Sequence, residues 1–467
     1  MDAFLEFERE LARKKRAEKP PQPPRIPRLE PPREPLPDEC CNLNCPNCVL
    51  LVYNEQLLEY EDSIRWAAHT EGSTPPPPFV EEIEITFAPE DFTIDVPAMP
   101  EGVSKFFVSA SRVLSHTNER SVYHIQFDIS PRNSFETAAN LTVHMPNADS
   151  LVERCLARLD SANGASLFKV NYPTKYHQEW TTLATLLKWS VDLASPPSPR
   201  ILRLLSTHTS DSADREILLE AADMINTLTL VDVLEMHPSI RLSVPSFLSI
   251  APSLTARNYT IASSPLQDPS TVALAVAAKP NGRCSVFLGT KSPGDEIHAA
   301  IAPSSFSQVW TKLFTLPSLN APWLCIATGT GIAPFRGMLQ DLKQRPNRPK
   351  DVALYNGCRA PDVDWLYHDE IESAVKDGLL KDYRPAFSQH NSKQYVQDLL
   401  LQDAASVCEY VVEQRGYVFV CGSLAMGRDV KRTLVECMEQ HLGWSTEDAK
   451  AYVNTMQVEK RYVAEVW

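Results

Sequence analysis

The order of apolar and polar positions changes character three times along the chain. From about residue 79 to about 130, the stretches "EEIEITF", "SKFFVSASRVLS" and "SVYHIQFDIS" alternate apolar with polar residues and predict half-buried strands. Between 148 and 248 the spacing becomes helical, as in "SLVERCLARLDS", "TLATLLKWSVDL" and "REILLEAADMINTL". Strand character returns in "RNYTIASSP", "TVALAVAA" and "CSVFL". From 321 the segments "PWLCIATGTGIAPFRGMLQDL", "DVALYNGCR" and "YVFVCGS" predict buried strands alternating with helices, the order that builds a parallel sheet with ligands at the strand carboxyl ends.

The expected architecture is therefore multidomain: an antiparallel β-barrel over 79–320 with a helical insertion at 148–248, then an α/β Rossmann-like domain over 321–467. A different texture precedes it. Residues 1–16 suggest a frayed terminus or a docking helix, and nine prolines within 19–37 imply an extended arm over 1–37. Residues 38–72 form a small Cys-rich region in which "CCNLNCPNCV" precedes an amphipathic helix, "LVYNEQLLEYEDSIRWAAH"; "STPPPP" closes it.

Charge and cysteine content narrow the function. A net charge of −14 argues against nucleic acid as a partner. No apolar run is long enough to span a membrane. Four acidic residues in the first ten do not suit a signal or transit peptide, and eleven scattered cysteines suit a reducing compartment. The expectation is a cytoplasmic protein, with the mitochondrial matrix as the alternative.

Chemistry concentrates in a few motifs. In "ARNYTIASSP", Arg257 offers a planar fork for a phosphate, Tyr259 a flat ring and Thr260 a hydroxyl. In "NGRCSVFL", Gly282 permits close backbone approach, and the amides through Ser285 suit a pyrophosphate. In "ATGTGIAPFRGML", Gly329 and Gly331 flank Thr330 between an apolar strand and a helix, where dinucleotide phosphates meet backbone amides. Read singly, the first two motifs describe ordinary strands and turns.

Together with "YNGCR", "AFSQHNSKQYVQ", "VCGSLAMGRDV" and the terminal "RYVAEVW", and in this order, these motifs resemble the FAD/NADPH half of the diflavin reductases, from about residue 80 onward. The resemblance implies an FAD-dependent NAD(P)H oxidoreductase that passes electrons to a separate protein acceptor: a flavodoxin-like, haem or iron–sulfur protein. It implies that Arg257, Tyr259, Thr260, Gly282, Cys284, Ser285 and Trp467 hold FAD. Gly329, Thr330, Gly331, Arg359, Ser388, Lys393 and Tyr395 would hold NADPH, with NADH as an alternative donor. Thr260, Cys421, Glu465 and Trp467 would be the catalytic group. Several positions depart from the pattern, among them Thr260 for a serine and Glu465 for an aspartate. Gln389 replaces an arginine expected on the 2′-phosphate, Asn258 a tyrosine, and Ser423 an acid. About 78 residues precede the barrel, too few for the family's flavodoxin-like domain. Gln389, Asn258, Ser423 and the short N-terminal region keep open a second reading, a binding or assembly protein on a reductase scaffold.

The cysteine segment resembles the oxidoreductase-like N-terminal domain. Cys40, Cys41, Cys45 and Cys48 suit a zinc or iron site or a redox dithiol, and equally a structural thiol cluster.

Overall fold

The computed structural model describes residues 30–35, 49–67, 83–89, 91–95, 99–100, 102–159, 166–171, 179–222, 227–280, 282–315, 321–349, 351–390 and 393–467. The four N-terminal cysteines lie outside these residues. So do the terminal helix considered for residues 1–16 and the "STPPPP" boundary.

The chain divides into two compact units, one of Asn47–Glu101 with Pro146–Thr255, the other of Gly102–Met145 with Ala256–Trp467. In the first, the helical insertion packs with the segment that precedes the main sheet. Its helices include Asp149–Arg158, Leu183–Trp189, Pro199–Thr207, Ser212–Ala222, Leu230–Met236 and Val244–Ile250. Several begin on a side-chain cap. Thr182, Ser198, Thr229 and Ser243 each accept a backbone N–H from the first turn. Their apolar faces, among them Leu187, Leu202, Val231 and Leu248, make one buried core. The helix Val49–Ala67 joins this unit through buried Asp62, which pairs with Arg200 at 2.8 Å. The short strand Ile85–Phe87 pairs antiparallel with Phe168–Val170.

The second unit holds two sheets. The antiparallel sheet runs in the order Arg257–Thr260, Asn140–His144, Glu296–Ala302, Ser104–His116, Ser121–Asp128, Thr271–Ala278. The alternation expected from the sequence is present: Val122, His124 and Phe127 are buried while Tyr123 and Gln126 are less so. Two register shifts bend the long Ser104–His116 strand. Beyond Thr260, the two sheet edges meet at a single Ile261–Leu274 bridge. The barrel expectation thus reduces to an antiparallel six-stranded sheet with one bridge between its edges.

The parallel sheet runs Asp382–Phe387, Val352–Cys358, Trp323–Thr328, Tyr417–Gly422, Tyr462–Val466. Its central strands are almost wholly buried, as expected of a sheet covered on both faces.

One local expectation fails. "CSVFL" is not a strand but lies in the helix Arg283–Gly289. A short apolar run fits either element, and here the two buried residues, Cys284 and Leu288, are four apart and share one helical face.

Candidate functional site

Two regions of the second unit gather the residues singled out from the sequence. In the first, the antiparallel sheet delivers Arg257, Asn258, Tyr259 and Thr260 on one edge strand, each paired in register with Val143 to Asn140. Asn258 accepts the Thr142 hydroxyl at 2.7 Å, so this departure is used to tie two strands together. The half-buried Tyr259 packs on the sheet core, and burial pushes its phenol pKa upward. Burial likewise raises the Cys284 thiol, while its bond with Tyr259 and the charges of Arg257 and Arg283 act the other way. These interactions place Arg257 and Tyr259 beside the start of the Arg283–Gly289 helix.

That helix starts on Gly282, and no side chain caps it. Its first-turn amides consequently have no intrahelical acceptor. A Cβ on Gly282 would lie 2.4 Å from Ser285 Oγ and 3.3 Å from the Lys279 carbonyl oxygen, so a side chain there would crowd this turn. Ser285 itself donates to the Gly282 carbonyl at 3.0 Å. Uncapped amides, a nearby guanidinium and an adjacent aromatic ring match the donors that a pyrophosphate-bearing flavin requires.

The second region is the carboxyl edge of the parallel sheet. Trp323–Thr328 leads into a tight 3₁₀ turn, Gly329–Ile332, and then the helix Ala333–Gln344. Gly329 has φ +55°, where a side chain is strained. Gly331 cannot be replaced for a different reason: its Cβ would lie 2.1 Å from the Cys421 carbonyl oxygen. The 3₁₀ turn has no side-chain cap, which leaves its first amides for an anion, whereas at the helix that follows the Ala333 N–H donates to the Thr330 carbonyl and Pro334 has no N–H.

Cys421 and Glu465 are register partners on neighbouring strands. Cys421 is completely buried, and burial, reinforced by the Glu465 carboxylate, holds its thiol well above the ordinary range. It is a neutral thiol here. Glu465 accepts the Phe306 N–H at 2.9 Å, in the first turn of the helix Ser305–Leu313. Burial raises its carboxyl pKa against that bond. Trp467 is fixed by its main chain, donating to the Gly422 carbonyl and accepting from Leu424 N–H, both at 3.1 Å. Its side chain is exposed. Ser423 caps the 19-residue helix Leu424–Leu442 by accepting the Met426 N–H, a task that serine and aspartate perform about equally.

At the next two strand ends, Ser388 donates its N–H to the Cys358 carbonyl at 3.0 Å, and Gln389 donates its N–H to the Arg359 carbonyl at 2.8 Å. Exposed Lys393 places its ammonium 5.1 Å from the Tyr395 ring centre. These residues share one edge, and the charge there is greater than the sequence reading recognised. Arg120, from the turn between two antiparallel strands, reaches within 3.9 Å of a Cβ built on Gly329 and pairs with buried Asp364 at 2.8 Å. Arg120 belongs to no glycine motif. The signal available was an arginine at a hairpin turn, "TNER", which only the fold connects to the nucleotide loop.

Among the described residues, no group of three or more His, Cys, Asp or Glu side chains is placed to hold a metal; Cys40, Cys41, Cys45 and Cys48, for which zinc or iron was suggested, lie outside those residues. Among the described residues, no helix is long and apolar enough to cross a membrane.

Comparison with known proteins agrees with this geometry. An FAD binding domain matches residues 97–283, an oxidoreductase NAD-binding domain residues 325–432, and the N-terminal oxidoreductase-like family residues 25–69. The chain is 28% identical to an NADPH–cytochrome P450 reductase of Dictyostelium discoideum over 75% of its own length and 56% of the relative. It is 30% identical to bifunctional cytochrome P450/NADPH–P450 reductase 2 of Bacillus subtilis over 82% of its length and 38% of the relative. It is 28% identical to methionine synthase reductase of Mus musculus over 79% of its length and 62% of the relative. The chain thus spans less than two thirds of the length of each of these relatives.

Proposed function

We propose, from the premise that this chain carries the FAD- and NAD-binding domains of the diflavin-reductase family together with the N-terminal oxidoreductase-like domain, that it is an NAD(P)H-dependent flavoprotein oxidoreductase serving a separate protein electron acceptor. The observation that carries this reading is the pair of uncapped helix starts, at Gly282 and at Gly329–Gly331. The first follows a strand of the antiparallel sheet and the second a strand of the parallel sheet, and each has an arginine beside it. Bound FAD would supply the hydride acceptor and the reduced nicotinamide the hydride.

The chain's own residues then have separable tasks. Arg257 and the amides after Gly282 neutralise the flavin's phosphates, and Tyr259 offers its ring to the flavin. Thr260 places a hydroxyl next to that ring. The Gly329–Gly331 amides and Arg120 receive the nicotinamide nucleotide's diphosphate. Ser388, Lys393 and Tyr395 receive a 2′-phosphate, and neutral Gln389 leaves that subsite one cation short, so NADPH is preferred only weakly over NADH. Cys421 stays a neutral thiol that would lie near the nicotinamide site, with Glu465 fixing the strand next to it. The exposed Trp467 indole would shield the flavin face and would have to move aside for a nicotinamide.

The test is the purified full-length protein. Heat-released flavin should chromatograph as FAD, and anaerobic NADPH should bleach the flavin spectrum. A protein that holds no flavin after reconstitution with excess FAD would overturn the reading. One that holds FAD but is reduced by neither NADPH nor NADH would be the binding or assembly protein instead.

A further inference from the structure

The turn that carries Arg120 also carries Glu119, and the two side chains reach the same loop of the parallel sheet. Glu119 pairs with Arg359 at 2.9 Å, and Arg120 pairs with Asp364 at 2.8 Å. The turn is rigid: Thr117 N–H donates to the Arg120 carbonyl at 2.9 Å, and Arg120 N–H donates back to the Thr117 hydroxyl at 3.2 Å. The two carboxylates are not equivalent. Asp364 is 3% exposed and also accepts the Arg359 N–H at 2.6 Å, so it is fixed. Glu119 is 73% exposed, whereas the Arg359 side chain it covers is 26% exposed.

We propose that Glu119 is a displaceable internal anion: it occupies the Arg359 guanidinium, gives way to a phosphate group of the nicotinamide nucleotide, and thereby sets nucleotide affinity. This rests on the reading of the carboxyl edge as the nucleotide site. With Glu119 in place, two guanidiniums face two carboxylates and the cluster is neutral. With Glu119 swung out, one positive charge remains beside the Gly329 loop and the backbone of Gln389. A phosphate makes a stronger, bidentate partner for arginine than an exposed carboxylate held by one contact. The exchange is cheap because an exposed ion pair contributes little.

The experiment is titration of the FAD-loaded protein with NADP⁺ and NAD⁺, for wild type, Glu119→Gln, Arg359→Ala and the double variant. Glu119→Gln should tighten binding about two- to fivefold, the range set by an exposed ion pair. A gain for both nucleotides assigns Arg359 to the diphosphate; a gain for NADP⁺ alone assigns it to the 2′-phosphate. The gain should vanish in the Arg359→Ala background, or in Arg359→Gln if the alanine variant does not fold. Unchanged or weaker binding by Glu119→Gln, or an equal gain without Arg359, overturns the proposal. If wild type binds neither nucleotide, the nucleotide-site reading itself fails, and the proposal with it.

Discussion

Two clusters of charge in the second unit, each containing a buried aspartate paired with an arginine, behave differently in the fold. One lies at the seam between the sheets, around Asp341. This carboxylate is fully buried and accepts the Thr137 hydroxyl at 2.8 Å, the Ser264 hydroxyl at 2.7 Å, the Trp310 indole N–H at 2.9 Å and Arg345 Nε at 2.6 Å. Its donors come from four separate places in the sequence, and both oxygens are engaged. The other cluster, Glu119, Arg120, Arg359 and Asp364, faces the carboxyl edge with two guanidiniums still partly open to solvent. A buried network with every lone pair engaged fixes the packing of one element on another. A half-exposed network with exchangeable partners is where a ligand can compete. The difference lies in burial and in the number of donors that Asp341 and Glu119 already have.

Breaking the seam should have the largest effect. Asp341→Ala strands the Trp310 indole N–H and two hydroxyls in the core, and should cost about 3–5 kcal/mol of folding stability. Chemical denaturation of the FAD-loaded protein measures it. A loss below about 1 kcal/mol would mean that water replaces the carboxylate and that the seam is no more fixed than the edge.

The seam also contains a titrating group. His124 is buried, accepts or donates through Nδ1 at 2.9 Å from the Tyr367 hydroxyl, and has its pKa lowered to about 3 by burial and then by Arg336 and Arg112. Glu370 lies in the same neighbourhood, pairing with both arginines. The folded state therefore binds fewer protons than the unfolded chain, so stability is present above pH 6.5 and is lost as the pH falls. Between pH 6.5 and 5 the loss attributable to His124 should be about 2 kcal/mol, from a limiting slope of about 1.4 kcal/mol per pH unit. Denaturation curves of wild type and His124→Gln across this range isolate it. Parallel pH dependences in the two proteins would show that His124 is hydrated when protonated.

At the edge, substitutions should change ligand affinity and leave stability alone. Lys393→Ala removes an exposed cation and should weaken NADPH binding roughly tenfold, the low end for a charge-assisted bond, with NADH little changed. Equal losses for the two nucleotides would move Lys393 from the 2′-phosphate to the diphosphate. The smaller effect expected of Glu119→Gln completes the series.

The sequence by itself determined the two-sheet organisation, because its signals are local. Alternation marked the antiparallel strands, unbroken apolar runs such as Trp323–Thr328 marked the parallel ones, and helical spacing marked the insertion. Glycines at 282, 329 and 331 were legible for the same reason: each marks a place where the backbone must turn or be approached closely. The "CSVFL" error shows the limit of that signal, since a run of five residues is too short for periodicity to separate helix from strand. Tertiary structure alone decided which charges meet. Glu119 and Arg359 are 240 positions apart, Thr137 and Asp341 are 204 apart, and no local pattern records either encounter. It also decided that Ser423 is a helix cap, that Asn258 ties strands and that Cys421 is a buried neutral thiol. Burial and hydrogen-bond partners are properties of the packed chain. A residue's type fixes the chemistry it can perform, and only its neighbours in space fix whether that chemistry is engaged in the core or left open to a ligand.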